Sequence, residues 1–292
     1  MTAASYTSVF EARRKFLVGL AYRILGSVAE AEDAVHDTYI KWSEADHGQI
    51  ENPAAWLTTT CTRHCVDLLR AAQKTRMVYV GAWLPEPIHA LTDETPESAL
   101  EMSSSLSMAF LLLLERLAPK ERAAYLLHDI FDLSYADIAH ALSVQEATCR
   151  KLVSRARTNI GRTQVLNVVP MERQEALLTA FQLAITTGDI HQLTELMSED
   201  VELRADGGGK VQTLPVPLTG KKKVLDFIAC KLGVYWKGLE WKALDINGMR
   251  GALLLQEGRI FATVSFACNA ENRLTGVFIV RNPDKLARLV FA

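Results

Sequence analysis

Residues 134–157 read SYADIAHALSVQEATCRKLVSRAR. Ser134 followed three positions later by Asp137 is a helix-start pattern, because a hydroxyl at the N-cap accepts an orphan backbone N–H of the first turn. A short helix with the small Ala139 inside it is expected over 134–142. A tight turn around Ser143 then leads into a second helix. Cys149, Leu152, Val153, Ala156 and Ile160 line one side of it. Gln145, Glu146, Thr148, Arg150, Lys151, Ser154 and Arg155 occupy its other sides. This is the pattern of a helix-turn-helix, whose second helix enters the major groove while Arg and Lys side chains reach phosphates. A plain helical hairpin is the competing reading.

Upstream, the chain is also helical. Residues 9–25 place Phe10, Leu17, Leu20, Ala21 and Ile24 at helical spacing. Gly26-Ser27 ends that helix, and a second begins near Val28. Its stripe is Ala31, Ala34, Val35, Thr38, Tyr39 and Trp42, and its other face carries Glu30, Asp33, Asp37 and Lys41. Asn52-Pro53 opens a third helix with proline in its first turn. That helix carries Trp56, Arg63 and Arg70, and aromatic rings among cations suit a single nucleic-acid strand. The acidic face of the second helix suits a basic protein surface. Cys61, His64 and Cys65 lie one turn apart, but no second ligand pair accompanies them, so burial on a helix face is the expectation.

The stretch YVGAWLPEPI (79–88) breaks the helical run. It is too apolar for a solvated linker and too proline-rich for a helix interior. An acidic segment with Asp93, Glu94, Glu97 and Glu101 follows, and helices are expected to resume at about 97. Pro119 marks the start of another helix over 117–131. After about residue 166, helices over 171–189, 190–197 and 221–233 alternate with strands over 200–206, 239–247, 251–258, 259–269 and 272–280. Helices followed by a strand meander suggest an α+β domain with a curved sheet. The boundaries expected are 1–76, a linker over 77–96, 97–166, and 167–292.

Composition narrows the class. Nearly half of the 292 residues are apolar and the net charge is −2. No apolar run approaches the roughly 20 residues of a membrane helix. The N-terminus lacks the pattern of a secretory signal. Five cysteines without framework spacing suggest reduced thiols. A cytoplasmic protein without cofactor or metal is expected. Two basic segments, 63–76 and 145–162, stand out from a near-neutral chain as candidate nucleic-acid contacts.

The order of these pieces resembles the extracytoplasmic-function sigma factors, the smallest sigma-70-type initiation factors of bacterial RNA polymerase. AEDAVHDTYIKW (31–42) looks like their regions 2.1–2.2. The resemblance implies that Asp33, Asp37, Tyr39 and Trp42 contact the clamp helices of the largest polymerase subunit. NPAAWLTTTCTRHCVDLLR (52–70) looks like regions 2.3–2.4, so Asn52, Trp56, Arg63, Asp67 and Arg70 would read the melted −10 element. Residues 117–157 resemble region 4, so the seven polar residues above would read the −35 duplex, and this domain would also meet the polymerase flap. YVGAWLPEPI, DGGGK (206–210) and NPDKL (282–286) look like the signature stretches of a subgroup with a SnoaL-like cone domain after region 4. Tyr79, Trp83, Pro85, Asp206, Gly207, Gly208, Gly209, Lys210, Asn282, Pro283, Asp284 and Lys285 would then dock that domain in cis, on the sigma domains or the linker, and tune sigma activity.

Two other functions fit parts of the chain. One is a one-component helix-turn-helix regulator with a ligand-binding C-terminal domain. The other is a SnoaL-like small-molecule enzyme. A catalytic site is hard to assemble for the latter. His191 is the one histidine after residue 170, and Asp226 and Asp245 have no evident partner. A small apolar ligand inside the cone is the more natural expectation.

Overall fold

Helix α1 (Ala3–Leu25) starts earlier than the apolar spacing indicates and buries Phe10, Leu17, Leu20, Ala21 and Ile24. The coordinates are a computed structural model and describe residues 3–76, 79–89, 105–161 and 169–289. Gly26 takes a positive φ after α1, and the Ser27 hydroxyl caps α2 (Val28–Glu44) by accepting the Glu30 N–H. Asp46 caps the 3₁₀ turn His47–Gln49 that follows α2. The Asn52 side chain accepts the Ala55 N–H at 3.0 Å and so starts α3 (Pro53–Arg76).

Two units make up the chain, Met1–Met77 with Leu113–Arg162, and Val78–Leu112 with Thr163–Ala292. The first unit holds α1 to α3 and the helix-turn-helix. Its second half comprises α5 (Pro119–Tyr125), drawn out by a π turn over Leu126–Ile130, then α6 (Tyr135–Leu142) and α7 (Glu146–Ile160). The Ser134 hydroxyl accepts the Asp137 N–H at 3.1 Å, and Ser143 closes α6 in the left-handed region at φ 50°. Cys149, Val153, Ala156 and Ile160 are buried, and Leu152 is half-buried.

The preceding helix, α4 (Met108–Leu114), carries the boundary between the units, after Leu112. Residues 79–89 and 105–112 therefore belong with the C-terminal sheet; docking of the 79–88 stretch there was expected, whereas 105–112 were expected within the second helical domain. The helical resumption expected from 97 to 104 lies outside the described residues.

The second unit is built on a six-stranded sheet: β1 (Met197–Asp206), β2 (Leu218–Thr219), β3 (Glu240–Ile246), β4 (Met249–Gln256), β5 (Arg259–Cys268) and β6 (Leu274–Val280). Their order is β2-β1-β6-β5-β4-β3, with β1 and β6 parallel and the other pairs antiparallel. Register shifts at Leu254/Leu255 and Ala267/Cys268 bend the strands. One face packs against α8 (Met171–Thr187), α9 (His191–Leu196) and α10 (Lys221–Asp226). The α10 chain runs on through a π segment, Phe227–Leu232, into α11 (Gly233–Tyr235). Inside this cone the Phe181 ring meets Trp236, Trp241 and Phe266 at centroid distances of 5.3–6.4 Å.

Alternation along β4 turns Ala252 and Leu254 into the cone, and Leu253 and Leu255 to the opposite face. That opposite face is not left to solvent. Leu84, Met108, Leu286 and Leu289 cover it, together with Leu253, Leu255, Phe278 and Val280. Burying a leucine such as Leu84 completely contributes about 2 kcal/mol. The NPDKL stretch is a single helical turn, α12 (Pro283–Leu286), capped by the Asn282 side chain on the Asp284 N–H at 3.1 Å.

Candidate nucleic-acid interface and linker clasp

All seven polar residues assigned to the −35 duplex are exposed along α7 or at its N-cap. Arg150 lies 2.5 Å from Glu146 and 4.3 Å from the Tyr135 ring centroid. Its guanidinium is thus held by α6 and α7 at once, at the start of the second helix. The αL turn at Ser143 sets this angle between the helices, because the chain reverses there without a longer loop.

The residues assigned to the −10 strand lie along one helix but not in one environment. Asn52 is a capping residue, and Asp67 and Arg70 form an exposed pair at 2.8 Å. Trp56 is half-buried against Trp42, with centroids 5.4 Å apart. Arg63 donates to the carbonyls of Ala141 at 2.8 Å and His140 at 2.7 Å, so it closes the C-terminal end of α6. Cys61 and Cys65 are buried with their sulfurs 4.0 Å apart, while His64 turns away to face Asp37 at 3.0 Å.

On α2, Asp33 is exposed and Asp37 is shared with His64. Tyr39 packs on Phe10 with centroids 4.8 Å apart. Trp42 requires a correction to its expected place. It is 1% exposed, donates its indole N–H to the Tyr6 carbonyl at 3.0 Å, and belongs to the core. A large ring on the inner stripe of an amphipathic helix is worth more buried than solvated. It supports the α2 face and does not form it.

Two carboxylate clusters escape or exceed the sequence reading. In the helical unit, Glu115 accepts from Arg122 at 2.7 Å and from Arg76 at 2.8 Å. The same arginines donate to the last carbonyls of α1, Arg122 to Ile24 at 2.8 Å and Arg76 to Leu25 at 2.6 Å. Burial pushes the Glu115 carboxyl up, but the two guanidiniums outweigh it and hold the group below its ordinary value.

In the second unit, Asp206 ends β1 and is fully buried. Its carboxylate accepts from the Tyr79 hydroxyl at 2.6 Å, the Leu84 N–H at 2.9 Å, the Gly208 N–H at 2.9 Å and the Lys285 ammonium at 2.7 Å. Its backbone carbonyl accepts the N–H groups of Arg281 and Asn282. Asn282 also donates to the Tyr79 oxygen at 3.0 Å. Lys285 donates to the Leu84 carbonyl and sits 4.4 Å from the Trp83 ring centroid. Pro85 is buried beside them. Burial, then the Asp206 carboxylate, holds the Tyr79 phenol well above its ordinary value.

The glycines are required by this geometry. Gly208 and Gly209 have φ of 65° and 69°. A β-carbon at Gly207 would strike the Val211 carbonyl, and one at Gly208 would meet the Asn282 side chain. Lys210 and Asp284 pair at the exposed rim at 2.6 Å. Pro283 occupies the first position of α12. The three separated motifs thus meet at one carboxylate.

Asn247, which the sequence reading passed over, holds the other end of the 79–89 stretch. Its side chain accepts the Ile88 N–H at 3.3 Å and donates to the Leu106 carbonyl at 3.0 Å. Asn247-Gly248 in the β3–β4 turn was the available signal, since that dipeptide favours positive φ.

Comparison with known proteins adds the following. Residues 9–75 match the Sigma-70 region 2 family and residues 107–160 match the Sigma-70, region 4 family. Over 234 residues the chain is 36% identical to the ECF RNA polymerase sigma factor SigJ of Mycobacterium tuberculosis, spanning 80% of this chain and 75% of that protein. It is 30% identical over 197 residues to the probable ECF RNA polymerase sigma factor SigI of the same species, spanning 67% of this chain and 68% of that one. The crystal structure of Mycobacterium tuberculosis SigJ aligns with a TM-score of 0.72 at 30% identity, over 96% of this chain and 98% of that chain.

Proposed function

Because the chain belongs to the extracytoplasmic-function sigma factors of bacterial RNA polymerase, we propose that its surfaces divide the work of promoter recognition as follows. The acidic face of α2, centred on Asp33, docks on the clamp helices of core polymerase. Region 4 meets the flap. Trp56, Arg63, Asp67 and Arg70 on α3 serve the melted −10 strand, with Asn52 fixing the start of that helix. Gln145, Glu146, Thr148, Arg150, Lys151, Ser154 and Arg155 serve the −35 duplex. The protein acts in the cytoplasm, and its C-terminal SnoaL-like domain regulates without catalysing.

The observation that carries the cis-regulatory part is the Asp206 cluster, which binds the 79–89 segment into the C-terminal sheet. Leu84 within that segment and Met108 beyond it both cover the sheet face. Region 2 and region 4 are therefore joined through a connection that the C-terminal domain holds at both ends. Engagement of Arg63 by α6 further favours a resting form in which the −10 helix and the helix-turn-helix occupy each other.

The test is competition with a housekeeping sigma factor for core polymerase, using the full chain and its Asp206→Asn variant. The full chain is expected to compete. The variant is expected to differ from it by about fivefold or more in core affinity or promoter output, the lower end of typical coupling between sites. A full chain that binds promoter duplex tightly alone and ignores core polymerase overturns the assignment of α2. Identical behaviour of the two chains overturns regulation through the clasp. A truncated chain is a poorer probe, because removing the sheet would strip Leu84 and Met108 of their cover.

A further inference from the structure

The cationic side chains of α7 are Arg150, Lys151, Arg155 and Arg157, and they are held in different ways. Lys151 and Arg155 are exposed and have no ion pair among the described residues. Arg157 is tied to Asp129 of the π turn, which fastens the C-terminal half of α7 to the preceding helix. Arg150 has its charge met by Glu146 at 2.5 Å and its flat face covered by the Tyr135 ring at 4.3 Å. A Glu–Arg pair one turn apart is ordinary helix-surface chemistry. A ring supplied by the other helix of the motif is not.

That ring is itself held. Tyr135 is the first residue of α6 and is half-buried. The His128 ring packs on it with centroids 4.1 Å apart, and the His128 Nδ1–H donates to the Leu133 carbonyl at 3.1 Å. The Leu133 N–H returns to the Leu127 carbonyl at 2.9 Å, so the π turn fixes the base of a stack that runs His128, Tyr135, Arg150. A guanidinium already neutralised by a carboxylate adds little to phosphate attraction, which follows charge. Its remaining donors are another matter. The Arg150 side chain is 58% exposed, Glu146 engages one amino group of the fork, and the ring sets the plane of the rest. A plane fixed before binding suits paired donation to O6 and N7 of guanine, and the N-terminal part of a recognition helix is the part that meets base edges.

We propose that Tyr135, seated on His128, is a positioning residue that fixes Arg150 as the reader of one guanine in the −35 duplex. Glu146 acts through Arg150 and touches no base. Lys151 and Arg155, free of partners, hold phosphates. The proposal rests on the assignment of α7 to the −35 duplex and adds which side chain reads, which base it reads, and what aims it.

The experiment lets holoenzyme reconstituted with the full chain select duplexes from a randomised DNA pool, and the enriched sequences are aligned. Guanine is expected at one −35 position with about tenfold or greater preference over the other bases, and R150A should flatten that position alone. Y135L keeps apolar bulk without a π face and should weaken the same preference by about threefold or more, whereas Y135F should keep it. E146Q frees the guanidinium for phosphate and should steepen the salt dependence of binding to the selected duplex by about one unit of slope. A merely structural role for these residues would move neither the preference at one base nor that slope. K151A should lower recovery of all sequences evenly. Absence of an Arg150-dependent guanine, or full guanine preference in Y135L, would overturn the proposal. If Y135L does not fold, the E146Q slope decides, and an unchanged slope overturns it. Failure to form holoenzyme would overturn the sigma assignment instead, and the same selection by the full chain alone then decides the reader.

Discussion

Glu115 and Asp206 are two carboxylates that each gather distant parts of the chain, and they do so by different chemistry. Glu115 stands between two guanidiniums, which also satisfy carbonyls at the end of α1. Asp206 is fully buried and takes a phenol, two backbone amides and one ammonium. The first is an ionic strut inside a helical bundle, one carboxylate shared by two guanidiniums. The second takes the Tyr79 side chain and the Leu84 backbone of one specific stretch together with Gly208 and Lys285. A strut tolerates sequence drift around it, whereas a clasp of this kind needs its motif.

The sharpest way to break this contrast is Asp206→Asn. It leaves Lys285 buried without its counter-charge, and the second unit should lose about 3–5 kcal/mol. Urea unfolding monitored through the tryptophans of that unit reads this loss, and a loss under about 1 kcal/mol would sink the clasp. The clasp also has a pH limit on the alkaline side. The Tyr79 phenol is held above its ordinary value, so its contribution is intact below about pH 10 and fades as pH rises further.

Glu115→Gln comes next. Arg122 is 1% exposed and keeps only its carbonyl partner, so the helical unit should lose about 2–3 kcal/mol. The sign of its pH dependence is opposite. A carboxyl held below its ordinary value contributes fully above about pH 4.3 and loses that contribution as pH falls through its lowered pKa. Circular dichroism during acid titration should show a shallower acid transition in the variant. Equal acid slopes would show that the strut is not what fails first.

Trp83→Ala removes the ring beneath Lys285, and about 1–2 kcal/mol of the second unit should go with it. Faster proteolysis within 79–89 is the readout, and unchanged cleavage would remove Trp83 from the clasp. Lys210→Ala should be nearly silent, within about 0.5 kcal/mol, since its pair with Asp284 is half-exposed at both ends. A larger loss would mean that the rim of the clasp matters as much as its centre.

These differences follow how legible each site was in the sequence. Helices α1 to α3 and α5 to α7 were readable because apolar period, Ser and Asn caps, and Pro at helix starts all agree. The strands of the cone alternate well enough to be found. The Asp206 clasp was approachable because its parts are compact motifs with unusual composition. Glu115 was not, since its partners Arg76 and Arg122, and the Ile24 and Leu25 carbonyls that those arginines also take, are spread along the chain and no local pattern marks them. Trp42 was misplaced for a related reason: a motif names a segment, but only the packing decides which face of it meets solvent.

The clasp also has a consequence for synthesis. Asp206 follows Tyr79 by 127 residues, and Asn282 follows it by 203. At about 5–20 residues per second, the apolar 79–88 stretch leaves the ribosome roughly 10–40 seconds before its last partner. During that interval it is an unpaired, Trp-bearing segment on a nascent chain, and a chaperone has that long to find it.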